Sequence, residues 1–291
     1  VKIRDSYVLI DEKEMEALLK KLTKPPRLTE EELIQAALSE SYEGSIVHLS
    51  PELRKLIQEL FALENVDPPT QLKATFRPYQ QRGYSWLYKN DHIGFGSILA
   101  DDMGLGKTLQ VIGLITRLLE EEALAKEKVL IVVPTPLISN WQREFEKFAS
   151  HVNVGVYHGP QRALDIEPFD VILTSYGIAR SDQKILTKPK WRLLVIDEAQ
   201  AIKNPGSAQT KALKKIKAQS RIAMSGTPVE NRLSEYWSIF DFTYKGYLGT
   251  LSKFKKSFVT PIVKERDQDK LKNFRAVTAP FIMRRLKTDK S

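Results

Sequence analysis

Residues 104–108, Gly-Leu-Gly-Lys-Thr, bring together the groups that a polyphosphate requires. A phosphate loop needs backbone N–H groups turned inward, a helix N-terminus aimed at the anion, a lysine for the β and γ phosphates and a hydroxyl for magnesium. Gly104 and Gly106 permit the tight turn, Lys107 supplies the charge and Thr108 the hydroxyl, and the run from Leu109 to Leu119 continues with helical spacing. The pattern breaks at one point, because Asp101 stands where its first glycine belongs. Taken alone, such a loop also reads as a structural turn ahead of a helix. The second half of the site favours phosphate. Ninety residues after Lys107, the apolar run Leu193–Ile196 ends in two carboxylates. Asp197 is placed to hold magnesium, and Glu198 to orient and deprotonate an attacking water. Most Asp-Glu pairs are solvated turns, but one that closes a strand downstream of a lysine–threonine loop reads as catalytic.

Positioning these groups requires a sheet. From residue 95 onward, short apolar runs alternate with helix-length segments: 96–100, 129–134, 171–176, 193–199 and 222–228. Each is too short for a helix and most end at a polar or small residue, the pattern of buried parallel strands joined by crossover helices. The expected fold class is α/β, a mostly parallel sheet with crossover helices around a phosphate loop, with ligands beyond the carboxyl ends of its strands. Residues 1–70 read as a small, mainly helical flank. Asp11 with Glu14 and Thr29 with Glu32 fit capping boxes, Ser50–Pro51 fits a helix start, and residues 6–10 form a candidate strand. Pro68, Pro69 and Pro78 mark a linker. The ATP-binding lobe is then expected over 71–243, and a basic, helical extension over 244–291.

Composition bounds the partners. The 291 residues contain no cysteine, which excludes disulfides, a thiolate nucleophile and cysteine-ligated zinc, and His48, His92, His151 and His158 have no zinc-motif spacing. No apolar run approaches the roughly 18 residues of a membrane span and the start does not resemble a signal peptide, so no membrane partner and an intracellular location are expected. The net charge is +9, and residues 244–291 carry thirteen basic against four acidic side chains, whereas residues 1–75 carry ten against fourteen. Lys203, Lys211, Lys214, Lys215, Lys217 and Arg221 follow one another with no acid among them. Either zone fits a solvated lysine face. Beside a nucleotide site, both also fit a polyanion.

The motifs together resemble the Swi/Snf group of superfamily 2 helicase-like ATPases, in its microbial form, over about residues 76–291. Residues 76–80, Phe-Arg-Pro-Tyr-Gln, are similar to the group's adenine-reading element, which implies Gln80 at the base and Arg77 beside the nucleotide. The stretch 98–108 is similar to the group's own phosphate loop, which also carries aspartate at its first position, so Asp101 is a family trait; Leu105 and Leu109 join the implied nucleotide contacts. Residues 132–148, including Asn140 and Trp141, match the segment after the second strand. Ser225, Gly226 and Thr227 resemble the element coupling two motor lobes, and residues 280–289 resemble a basic stretch near the end of the first lobe. Gln200 stands where many relatives have histidine and joins the coupling set, while Asp102 replaces a commoner glutamate. The resemblance implies ATP and magnesium, the latter on Thr108 and Asp197, and double-stranded DNA as the track. Nucleic-acid contacts are expected from Thr135, Asn140, Thr174, Ser175, Lys203, Arg284 and Arg285. It also implies a second RecA-like lobe, for which nothing after residue 228 supplies another strand series, so the chain is expected to carry the first lobe and to be a poor ATPase alone. The location would be the cytoplasm, at the nucleoid in a prokaryote, or the nucleus in a eukaryote. The alternatives are a nucleotide-gated nucleic-acid-binding module without turnover and an RNA helicase lobe. Composition fits RNA and DNA equally, and oligomeric state is not legible.

Overall fold

The computed structural model describes residues 2–3, 6–7, 28–42, 45–62, 64–226 and 233–288. Seven strands form one sheet in which every pairing is parallel. In chain order they are β1 (Ser97–Leu99), β2 (Lys128–Val133), β3 (Val154–Tyr157), β4 (Val171–Ser175), β5 (Trp191–Ile196), β6 (Ala218–Met224) and β7 (Ile282–Met283). Their spatial order is β7-β1-β6-β5-β2-β4-β3. Five of them are the expected runs.

Alternate residues of each central strand feed opposite faces, because side chains alternate with period two. Ile98, Leu130, Val132, Leu194, Ile196 and Ala223 lie in one buried cluster. Leu99, Val129, Ile131, Val195, Ile222 and Met224 lie in the other. Helices cover both faces, which is why these strands carry nearly continuous apolar runs rather than a strict alternation in polarity. The principal helices are α1 (Glu30–Ser39), α2 (Pro51–Phe61), α3 (Pro78–His92), α4 (Lys107–Glu120), α5 (Ile138–Phe148), α6 (Tyr176–Ser181), α7 (Ala208–Lys215), α8 (Leu233–Thr243) and α9 (Gln268–Thr278). Tyr84 and Leu87 of α3, Val111 and Ile115 of α4 and Trp141 and Phe145 of α5 pack on the second face. On the first, Trp237 and Phe240 of α8 meet Phe274 of α9 and Phe281.

The capping signals at Thr29 and Ser50 act as expected. Thr29 and Glu32 exchange side-chain and backbone hydrogen bonds, and Ser50 caps a helix with proline at its first position. The signal at Asp11–Glu14 and most of the candidate strand lie outside the described residues. The flank packs against the C-terminal extension: the Gln35 amide donates to the Tyr247 carbonyl, and Lys253 pairs with Glu32 at 3.1 Å.

One expectation needs correction. Residues 65–77, read as a linker, contain no helix or strand but bury Leu72 and Phe76. Thr70 and the Gln71 amide both bond Glu120 at 2.8 Å, and the Lys73 amide bonds the Phe148 carbonyl at 2.8 Å. Proline here shapes a strap that is docked along its length. The extension is helical over Leu251–Phe254, Lys255–Lys264 and Gln268–Thr278 and then returns as β7 to the sheet beside β1. That return brings the tail to the phosphate loop.

Candidate active site

The loop between β1 and α4 is held from several sides. Gly104 and Gly106 have φ of +85° and +76°, the left-handed region that glycine enters without a Cβ penalty. A Cβ on Gly106 would lie 2.3 Å from the Gln80 amide nitrogen. Gln80, largely buried, receives the Arg77 backbone N–H at 2.9 Å and donates to the Leu105 carbonyl at 3.3 Å. It therefore joins the start of α3 to the loop. Lys107 donates to the carbonyls of Asp101 and Asp102 at 2.6 and 3.2 Å. Burial pulls its pKa below the ordinary lysine value, with Asp101, Asp197, Glu198 and Asp102 opposing that shift.

The carboxylates close β5. Asp197 is nearly buried; it accepts from the Trp141 indole N–H at 3.0 Å and from the Glu198 backbone N–H at 2.8 Å. Burial raises its pKa above the ordinary value, and these two bonds counter the rise. Tyr176 donates its hydroxyl proton to the Asp197 carbonyl at 2.7 Å, which fixes the peptide between the carboxylates. Glu198 itself has φ +54°, a left-handed conformation that costs a non-glycine residue of order 1–3 kcal/mol and persists where neighbours impose it. Its carboxylate accepts from the Gln200 amide at 2.7 Å, and Gln200 in turn accepts from the Ser225 hydroxyl at 3.3 Å. Ser225 follows β6, and its amide bonds the Leu99 carbonyl at the end of β1. Three strand ends thus meet in one hydrogen-bonded line. A Cβ on Gly226 would touch Met103 of the loop, with the Lys107 ammonium 3.8 Å away. Thr227 lies outside the described residues.

These residues fit a magnesium-bound nucleoside triphosphate. No side chain caps the N-terminus of α4, so the loop itself leads into a helix end open to an anion. Lys107, held among the described residues by two carbonyls, can turn to phosphate oxygens. Thr108, half-buried in the first turn of α4, and Asp197 supply oxygen donors suited to a hard cation. Leu109 follows on the same turn, half-buried.

The sequence of residues 79–291 matches the SNF2-related domain. The chain belongs to the SNF2-related family. Among its relatives, the ATP-dependent helicase/translocase YwqA of Bacillus subtilis is 43% identical over 258 residues, covering 86% of this chain and 28% of that protein. The TATA-binding protein-associated factor MOT1 of Saccharomyces cerevisiae is 37% identical, covering 81% of this chain and 14% of its own length. The SWI2/SNF2 ATPase core of Sulfolobus solfataricus in complex with dsDNA superposes with a TM-score of 0.72 at 41% identity, covering 78% of this chain and 47% of that one. The chain therefore spans less than half of each of these SNF2-related proteins.

The expected nucleic-acid contacts divide. Thr135 is exposed and Asn140 half-buried beyond the end of β2, Lys203 is exposed with Glu235 at 3.6 Å, and Arg284 is exposed. Three others are committed inside the chain. Thr174 is buried with its hydroxyl on the Tyr157 carbonyl at 2.8 Å, because the neighbouring edge strand offers that acceptor. Ser175 is buried as the N-cap of α6, taking the Ile178 amide. Arg285, expected on a phosphate, has its guanidinium on Asp101, Gln110 and the Tyr79 carbonyl. The sequence reading placed Trp141 without a role and passed over Tyr176 and Gln110; an aromatic or amide on a helix gives no local sign of a carboxylate or arginine partner far along the chain.

Proposed function

We propose that this chain is the ATP-binding first lobe of an ATP-dependent double-stranded DNA translocase that hydrolyses ATP when joined to a second RecA-like lobe. The observation that carries this reading is the line Glu198–Gln200–Ser225 beside the Lys107 loop at the carboxyl edge of the sheet. Lys107 would leave the loop carbonyls to bind the β and γ phosphates, while Thr108 and Asp197 would hold magnesium. The cation would neutralise charge on the phosphates. Glu198, aimed by Gln200, would orient a water and take its proton. Gln80 and Arg77 lie at the edge of the loop, on the side where the base would sit.

Gln200 occupies a position that links the carboxylate to Ser225, so hydrolysis and the conformation of the coupling element would be tied through one amide. A second lobe would contribute the arginines that reach the transferring phosphoryl group; such residues are worth about 10³–10⁵ in rate. Duplex DNA as the track is supported by the Sulfolobus relative in complex with dsDNA. Thr135, Asn140, Lys203 and Arg284 would follow its backbone, with charge and hydroxyls rather than base-edge readers. The protein would then act inside the cell, wherever its DNA is kept.

The test is ATP turnover by this chain and by a chain carrying the second lobe, each without nucleic acid, with duplex DNA and with duplex RNA. The two-lobed protein should be stimulated by duplex DNA and the single lobe should be nearly inactive. Stimulation by RNA alone would assign a different track. Nucleotide binding without turnover in the two-lobed protein would make this a gated binding module.

A further inference from the structure

The phosphate loop is gripped by the segment that follows β7. The Asp101 carboxylate, fully buried, accepts the Arg285 backbone N–H and Nε, each at 3.0 Å, and Nη2 as well. The same guanidinium donates to Gln110 at 2.8 Å and to the Tyr79 carbonyl, and lies over the Tyr79 ring at 5.4 Å. Asp102 repeats the arrangement one step on. Its carboxylate accepts the Lys287 backbone N–H at 3.1 Å, and its own amide donates to the Arg285 carbonyl at 3.0 Å. With the Ala100 amide on the Met283 carbonyl at 2.8 Å, the short β7–β1 pairing is prolonged by two carboxylates.

The neighbouring helix is built around this grip. A Cβ on Gly83 of α3 would fall 1.8 Å from the Gln110 oxygen and 2.8 Å from Arg285 Nη2. A larger residue at 83 would push the ends of the Gln110 and Arg285 side chains aside. The buried guanidinium is thus provided for by two separate segments, residues 79–83 and 101–110.

Asp101 and Asp102 therefore do two things at once. Their carbonyls hold the Lys107 ammonium and their carboxylates hold the tail. We propose that this pair couples the phosphate loop to the segment after Met283, with Arg285 as a positioning residue that sets the loop through Asp101. The proposal rests on the nucleotide reading above. When Lys107 turns to phosphate, the carbonyls of residues 101 and 102 lose their cation, and the peptides that carry the tail's two anchoring side chains are freed to tilt. Coupling of this kind is reciprocal: the grip favours nucleotide by the same factor by which nucleotide alters the grip. The aspartate at the first loop position would then be a functional substitution, exchanging a glycine's freedom for a connection to the chain leaving the lobe. A purely structural staple would hold β7 in place and leave nucleotide affinity unchanged.

The experiment pairs ADP titration with amide hydrogen exchange on the full chain. Arg285→Lys keeps the charge and loses the fork; it should weaken ADP binding about tenfold, within the usual range of coupling between sites. In the parent protein, ADP should change exchange at the Arg285 and Lys287 amides by a similar factor, and in Lys107→Ala it should not. Asp102→Ala, which touches only the exposed Lys287 end, gives the same reading if Arg285→Lys does not fold. Parent-like ADP affinity in both variants, with tail exchange indifferent to ADP, overturns the coupling and leaves the nucleotide site standing. A parent protein that does not bind ADP overturns both.

Discussion

Arg285→Ala should be among the most damaging single changes outside the apolar core. The side chain is 15% exposed and its partner Asp101 0%. Removing it strands a carboxylate in the interior, where among the described residues the Arg285 backbone N–H alone still donates to it. Breaking a buried pair in this way costs about 3–5 kcal/mol, against a total stability of about 5–15 kcal/mol for a typical protein. At about 2–4 °C per kcal/mol for a domain of this size, the melting temperature should fall by about 6–20 °C. Adding Asp101→Asn removes the stranded charge, so the double variant should melt above Arg285→Ala alone and the two effects should not add. The exposed Lys55–Glu59 pair, 3.7 Å apart with side chains 76% and 63% exposed, serves as a control. There Lys55→Ala should cost under about 0.5 kcal/mol. Thermal melts of five proteins, the parent, Arg285→Ala, Asp101→Asn, their combination and Lys55→Ala, decide the matter. An Arg285→Ala variant melting within about 2 °C of the parent, or a double variant that sums the singles, would refute the buried-pair account.

Three further outcomes are expected. Because burial raises the Asp197 pKa, protons compete with a cation there at a higher pH than for a solvated carboxylate, so magnesium-dependent nucleotide binding should be lost as pH falls through that raised value. Trp141→Phe removes a donor to the ionised form and should move the midpoint of that loss further up; titrations at a series of pH values check this, and an unmoved midpoint would reduce the indole to packing. In the two-lobed protein, Glu198→Gln should keep nucleotide binding and lower turnover by about 10²–10⁴, with Gln200→Ala lowering it less, as measured by phosphate release; undiminished turnover would place the base elsewhere. Replacing Lys203 and Arg284 with alanine should flatten the log–log salt dependence of DNA binding by about two, at about 0.9 per phosphate released, and an unchanged slope would put the DNA on another surface.

How far the sequence could be read depended on the range of each interaction. The five central strands were legible because both faces are covered, which gives each a short, nearly continuous apolar run. Val154–Tyr157 was not, because at the sheet edge Val156 faces solvent and Gly155 interrupts the apolar pattern. Ile282–Met283 is two residues long and finds its partner β1 some 184 positions earlier, beyond any local pattern. The same distance hid the meaning of Asp101. The residue reads as a lost glycine until Arg285 is placed against it. At Thr174 and Ser175 the polar strand ends were visible, but a carbonyl on the neighbouring strand and an uncapped helix start took their hydroxyls. The strap at 65–77 misled for a related reason: proline content describes backbone stiffness, and Leu72 and Phe76 decide where that stiff segment lies. Glu198, Gln200 and Ser225 were identified singly; their connection needed the ends of two neighbouring strands, β5 and β6, to be brought side by side.

The central claim is that Lys107 serves a nucleotide phosphate and not merely the shape of a loop. Titration of magnesium-ATP into this chain and into Lys107→Ala, with the melting of both recorded, tests it most directly. Saturable binding by the parent, lost in a variant that remains folded, is the predicted result. A folded parent that binds no ATP, or a Lys107→Ala variant that binds it equally well, would contradict the account.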